Sequence, residues 1–182
     1  MTSSDCKTWV IPEGRKIPYG HPPRSFAGKI RKVCNTILTS WAYNCPLNGL
    51  RVLFHRMRGC HIGKGVYIGR YCFLDNMYPE YIYIYDGASI NAECMLLTHF
   101  NPFETWKGVF NAEVKPLVIG ENAIVAVRCT IMPGVTIGKH AVVSSGMTIE
   151  KSVPDYHMVR ANVKIDKIDL GPLMGEKTDK KK

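Results

Sequence analysis

From Ile119 onward the chain sets a branched apolar residue at every sixth position: Ile119, Val125, Ile131, Ile137, Val143 and Ile149. The position four further on is small or apolar each time, namely Ala123, Cys129, Val135, Ala141, Met147 and Val153. Ile62, Ile68 and Leu74 begin the same pattern earlier, and Ile84 and Ile90 continue it with Ala88 and Cys94 as partners. Small residues follow many of the branched ones, as at Gly63, Gly69, Asn91, Gly120, Ala126, Gly138 and Ser144. A period of six matches neither a helix nor the simple alternation of an amphipathic strand. It fits a solenoid in which each hexad gives one short flat strand and one corner, and three hexads close a triangular coil. Stacked coils lay like side chains over like. The branched residue then fills the interior, the small one sits where the interior narrows, and Gly or Asn near a corner accepts positive φ. The pattern predicts an all-β solenoid, a parallel β-helix, over residues 60–155.

Two stretches break the repeat. Asn76–Tyr81 reads as a short bulge, and residues 98–116 as a long extruded loop carrying Phe100, Phe103, Trp106 and Phe110. Long loops inside compact domains usually serve function, and these aromatic side chains need a neighbouring subunit or a ligand to pack on. Ahead of the coils, Pro12, Pro18, Pro22 and Pro23 mark residues 1–23 as an extended arm. Phe26, Ile30, Val33, Ile37 and Trp41 then recur at helical spacing behind Ser25 as N-cap. Pro46 opens a second helix through Leu50, Leu53, Phe54 and Met57, which Gly59 can stop. Residues 1–59 are thus expected to be an arm and a helical cap on the open first coil, because a terminal coil exposes core. A second reading rests this basic segment peripherally on a membrane through Lys29, Arg31, Lys32, Arg51, Arg56 and Arg58. Residues 156–182 are expected to hold a closing strand or helix over 159–170 and a disordered basic tail.

The formal charge of +9 is unevenly placed. Residues 1–60 carry ten Lys/Arg against two acids, residues 61–155 seven against nine, and residues 156–182 seven against four. A basic end suits nucleic acid, anionic lipid or a phosphorylated ligand, but no nucleic-acid motif accompanies it. The chain has no apolar run long enough to span a membrane and no secretory opening. Its seven cysteines form no CxxC pair and no Cys/His zinc spacing. Reduced thiols, a cytoplasmic location and no bound metal are expected. Cys72, Cys94 and Cys129 fall on the small interior position and read as packed rather than nucleophilic.

Of the six histidines, His99 alone stands where the repeat stops and the long loop leaves, the place a cleft would form. At this point the segments HIGKGVYIG (61–69), INAECMLLTH (90–99), KPLVIGENAIV (115–125), TIMPGVTIGKHAVVSSG (130–146) and KSVPDY (151–156) resemble the hexapeptide-repeat acetyltransferases. The likeness is to the galactoside/maltose O-acetyltransferase and capsular-polysaccharide acetyltransferase group. The resemblance implies a left-handed coil, against the usual right-handed preference of parallel connections. It also implies a homotrimer that holds acetyl-CoA between adjacent coils and a His99 general base acting on a hydroxyl. Carried over by position, main chain near Val127 and Ser145 would meet the pantetheine arm, and Lys151, Lys164 and Lys167 the phosphates. Asn91, Glu93 and Trp106 are candidates for acceptor contact, and Asn91 or Glu93 for orienting His99. Two departures fall in the expected groove: Ile124 stands where the family often has Trp, and Arg160–Lys164 lacks the glycine and proline of the usual GNPAK segment.

The expected reaction is direct acetyl transfer to a hydroxyl of a sugar or polysaccharide precursor. An aminosugar N-acetyltransferase or a xenobiotic acetyltransferase is the alternative within the class. A non-catalytic trimeric binding module is a third reading, against which His99 at the loop argues. A γ-type carbonic anhydrase needs closely spaced histidines around zinc, whereas His99 and His140 lie 41 residues apart.

Overall fold

The computed structural model describes residues 9–20 and 25–161. Ahead of the coil come β1 (Arg15–Lys16), α1 (Phe26–Asn44) and α2 (Asn48–Met57). The first tier is β2 (His61–Ile62), β3 (Tyr67–Ile68) and β4 (Phe73–Leu74), and the second β5 (Ile82–Ile84), β6 (Ser89–Ile90) and β7 (Met95–Leu96). The extruded loop follows, with β8 (His99–Phe100) and β9 (Glu113–Val114). The third tier is β10 (Leu117–Ile119), β11 (Ile124–Val125) and β12 (Thr130–Ile131). The fourth is β13 (Thr136–Ile137), β14 (Val142–Val143) and β15 (Thr148–Ile149), and β16 (Met158–Val159) starts another.

Strands stack into three parallel sheets: β2-β5-β10-β13, β3-β6-β11-β14-β16 and β4-β7-β12-β15. Register follows the repeat. Ile62, Ile84, Ile119 and Ile137 align on the first face, Ile68, Ile90, Val125 and Val143 on the second, and Leu74, Leu96, Ile131 and Ile149 on the third. These side chains, with the small residues four positions on, make one continuous core. Cys72, Cys94 and Cys129 stack in a column inside it, each thiol donating to a carbonyl of the next tier, at Asn91, Ala126 and Ser144.

The corner glycines have a different cause from the one expected. Positive φ falls three residues after the branched one, at Tyr71, Glu93, Asn122, Arg128 and His140 as well as at glycines such as Gly134. The small residue directly after the branched one answers to tier spacing instead. A Cβ on Gly69 would lie 2.4 Å from the Ala92 nitrogen of the tier above.

The helices lie against the first coil with polar side chains turned to it. A terminal tier leaves strand carbonyls and amides unpaired, and α2 meets them. Asn48 donates to the Val66 carbonyl and accepts from the Ile68 amide. Arg51 reaches the carbonyl of Ile68, Arg56 those of Ile62 and Gly63, and Arg58 those of Leu74 and Asp75. Three of the six cations read from sequence as a lipid-facing set are therefore committed to the coil. Arg31 pairs with Glu80 at 3.0 Å. No helix among the described residues is long and apolar enough to cross a membrane.

The long loop is not structureless. β8 and β9 pair antiparallel, and β1 of the arm adds to β9 with Arg15 opposite Val114. Tyr19 donates to the Phe110 carbonyl at 3.1 Å. Ile17, Tyr81, Ala112 and Val114 form a second small core beneath this sheet.

Candidate active site

His99 opens the loop on β8, just after buried Thr98. Its Nδ1 lies 2.5 Å from Oδ2 of Asp75, whose side chain is 1% exposed against 22% for the imidazole. Asp75 is held on every side. Its Oδ1 accepts the Met77 amide at 2.8 Å, and its Oδ2 accepts the Thr98 amide at 3.0 Å and the Thr98 hydroxyl at 2.9 Å. Burial pushes the Asp75 carboxyl up, but the hydrogen bond and charge attraction of His99, with the Thr98 and Met77 amides, outweigh it. The carboxyl is held below the ordinary carboxylate range. With Nδ1–H donating to a carboxylate, the Nε2 lone pair is left free. Tyr78 packs its ring edge-on against the imidazole at 5.5 Å.

Neither Asn91 nor Glu93 orients His99. The Asn91 amide donates to the Val125 carbonyl at 3.1 Å, and Glu93 pairs with Arg128 at 2.7 Å. Asp75 takes that part, and sequence reasoning missed it. The available signal was a carboxylate directly after Leu74, in the slot that Gly63 and Gly69 hold in the neighbouring hexads.

Trp106 lies in a short 3-10 turn, 52% exposed, with its ring 5.9 Å from Phe110, which in turn meets Phe100 at 5.8 Å. The loop aromatics thus pack partly on one another. Val127 and Ser145 occupy one corner on successive tiers, and the Gly146 amide already donates to the Val127 carbonyl at 2.9 Å. Both are exposed, as is Ile124 on the outer side of β11. Lys151 follows β15 and lines a cavity of about 450 Å³ with Met147, Ile149, Pro154, His157 and Met158. Lys164 and Lys167 lie outside the described residues, as does most of the expected closing element.

The corner bearing Val127 and Ser145 precedes the third face, and the His99 corner follows it. About six residues of extended chain, roughly 20 Å, separate the two edges of one face. Within one chain the imidazole and the Val127 corner therefore do not converge. Among the described residues no group of three His, Cys, Asp or Glu side chains is close enough to share a metal ion.

Residues 116–151 match the family model described as "Hexapeptide repeat of succinyl-transferase". YvoF of Bacillus subtilis (strain 168), which carries an acetyltransferase name, is 28% identical over 134 residues, covering 73% of this chain and 74% of its own. Among solved structures, a maltose O-acetyltransferase from Clostridium difficile 630 superposes with a TM-score of 0.57 at 17% identity, covering 74% of this chain and 83% of that one. The hexapeptide-repeat acetyltransferase VCA0836 from Vibrio cholerae, complexed with acetyl coenzyme A, gives 0.55 at 17% identity over 74% and 84%. These likenesses set the coil as left-handed. In its six-residue repeat and its three parallel faces the chain is similar to the hexapeptide-repeat acetyltransferases.

Proposed function

We propose that the protein transfers acetyl from acetyl-CoA to a hydroxyl of a sugar or polysaccharide precursor, with His99 as general base and Asp75 as its positioning residue. The observation that carries this is the Asp75–His99 contact at the mouth of the extruded loop. A hydroxyl is a weak nucleophile near neutral pH, and an imidazole can take its proton as it attacks the thioester carbonyl. Asp75 fixes the tautomer that presents Nε2 and stabilises the imidazolium that forms. When the tetrahedral intermediate collapses, His99 returns the proton to the departing thiolate. The new oxygen–acyl bond replaces the sulfur–acyl bond, and no covalent enzyme intermediate is needed.

The acyl donor supplies the activated acetyl group when bound. Residues toward it fit in part: Lys151 is an exposed cation suited to a phosphate, and the Val127 and Ser145 corner offers exposed main chain. Because that corner and His99 sit on opposite edges of one face, the reading requires a second coil to bring its own corner beside the imidazole. A homotrimer of side-by-side coils meets that need.

The test is thiol release from acetyl-CoA with a panel of sugars, aminosugars and hydroxylated antibiotics, for the wild type and His99→Ala. The expected loss on removing the imidazole is about a hundredfold or more. Undiminished transfer by His99→Ala would reject the base, and preference for an aminosugar would move the reading to N-acetylation.

A further inference from the structure

A surface helix of a globular protein turns its apolar stripe inward, and both helices of this cap do the reverse. Toward the coil α1 buries Asn35, Thr39 and Ala42. Its stripe of Phe26, Ile30, Val33, Ile37 and Trp41 faces outward, exposed by 79, 50, 57, 45 and 58%. In α2 the buried set is Arg51, Val52 and His55, while Leu50, Leu53 and Met57 stand 41, 47 and 62% exposed. Leu47, between the helices, is 61% exposed. The inversion has a cause. The coil end presents unpaired carbonyls, so it draws donors such as Arg51 and Arg58 inward and leaves the aliphatic side chains out. An exposed apolar patch spread over two helices marks a surface that something covers.

The charge around the patch says what. Residues 25–60 hold no Asp or Glu; of their six Lys/Arg, Arg51, Arg56 and Arg58 turn to the coil and Arg31 pairs with Glu80, which leaves Lys29 and Lys32. Lys29 and Lys32 are exposed on α1 beside the stripe. A second copy docking cap to cap would set these cations against their own kind, whereas an anionic lipid surface complements them. Apolar side chains flanked by basic ones on a helix lying flat are what an interfacial membrane contact requires.

We propose that the helical cap is a membrane-docking face, laying the apolar stripes of α1 and α2 into the headgroup boundary of an anionic bilayer with the coil standing away from it. The contact uses the aliphatic stripe with Lys29 and Lys32, not Arg51, Arg56 and Arg58. It does not depend on the reaction proposed above.

The experiment is co-sedimentation of the full chain with vesicles of equimolar phosphatidylcholine and phosphatidylserine, and with phosphatidylcholine alone. The wild type is expected to pellet with the anionic vesicles and largely to remain in the supernatant with the zwitterionic ones. The double variant Ile30→Glu/Ile37→Glu changes two exposed positions. It should keep the wild-type circular dichroism and assembly size while vesicle affinity falls at least about tenfold. No pelleting of the wild type, equal pelleting with both vesicles, or undiminished binding by the double variant would each overturn the proposal. So would a variant that changes the size of the assembly, because the stripes would then be an interface between copies of the chain.

Discussion

Asp75 and His99 meet at 2.5 Å across 24 residues because each follows a strand of the same face on neighbouring tiers. Leu74 of β4 lies opposite Leu96 of β7, and the Asp75 amide donates to the Leu96 carbonyl at 2.9 Å. Both excursions from the coil, the short one at Asp75 and the long one at Thr98, thus leave from one corner. The coil supplies rigidity, and the excursions supply the side chains it has no room for. Arg58 adds a support from the cap, donating to the carbonyls of Leu74 and Asp75 at 3.0 and 2.7 Å.

Asp75→Asn tests that pairing. An amide in this place presents one oxygen where the carboxylate presents two, so the Met77 amide or the Thr98–His99 side loses its acceptor. Transfer should fall between about ten- and a hundredfold, less than on removing the base itself. Stability should fall by about 1–3 kcal/mol. A folded-state pKa held below the ordinary value makes the carboxylate's contribution present above about pH 4 and lost as pH falls through the lowered value. Thermal melts across that range should show the acid-side drop shrinking in the variant. Wild-type transfer rates in Asp75→Asn would remove Asp75 from the site.

The core was legible because tier stacking demands one kind of side chain at each register, and Ile119, Val125, Ile131 and Ile137 announce it. The corner residues were not. Asn122, Arg128, Gly134 and His140 share positive φ and little else, so no residue type marks the position. His99 stood out by its place at the break in the repeat. Its partner did not, because the contact joins two excursions whose meeting depends on strand order. The helices were legible as helices from Phe26 to Trp41, yet the packing face was inverted. Spacing tells that a stripe exists; only the neighbour's unpaired carbonyls decide which side is drawn in.

His55 should make the cap acid-sensitive. Arg58 Nη1 lies 2.8 Å from His55 Nδ1, and a guanidinium can only donate, so this nitrogen must accept and the ring must be neutral. Burial first, then the charges of Arg58 and Arg51, lowers its pKa to about 3. An unfolded histidine titrates near 6.5. Between those values the unfolded chain binds the extra proton, and stability falls as pH falls. From about pH 7 to about pH 5 the share due to His55 is about 2 kcal/mol. Denaturant titrations at both pH values should show a smaller difference in His55→Gln, which keeps an acceptor but no titration. An unchanged difference would mean that His55 does not govern the acid limb.

The cysteine column should be silent to thiol reagents until the coil opens. Cys60, Cys72, Cys94 and Cys129 are buried, and Cys34 is exposed. Burial also pushes the Cys60 thiol up to about 12, which removes thiolate near neutral pH. Peptide mapping after brief alkylation of the native protein should find Cys34 modified and these four unmodified, with all of them labelled in denaturant. Rapid native labelling of Cys94 or Cys129 would mean that the tiers breathe apart.

Two glycines separate the two demands the coil makes on its backbone. At Gly69 an added Cβ would lie 2.4 Å from the Ala92 nitrogen and 2.6 Å from the Asn91 carbonyl carbon. Those atoms are backbone of the next tier and cannot move aside without spreading the sheet. Gly69→Ala should therefore cost about 1–3 kcal/mol. Gly146 has φ of +73 with nothing near its missing Cβ, and Asn122 holds the equivalent conformation at φ 54. Gly146→Asn should accordingly cost less than about 1 kcal/mol. Denaturation midpoints of the two variants measured side by side check the contrast. Equal losses would mean that a side chain in the left-handed conformation at Gly146 costs as much as the tier contact at Gly69.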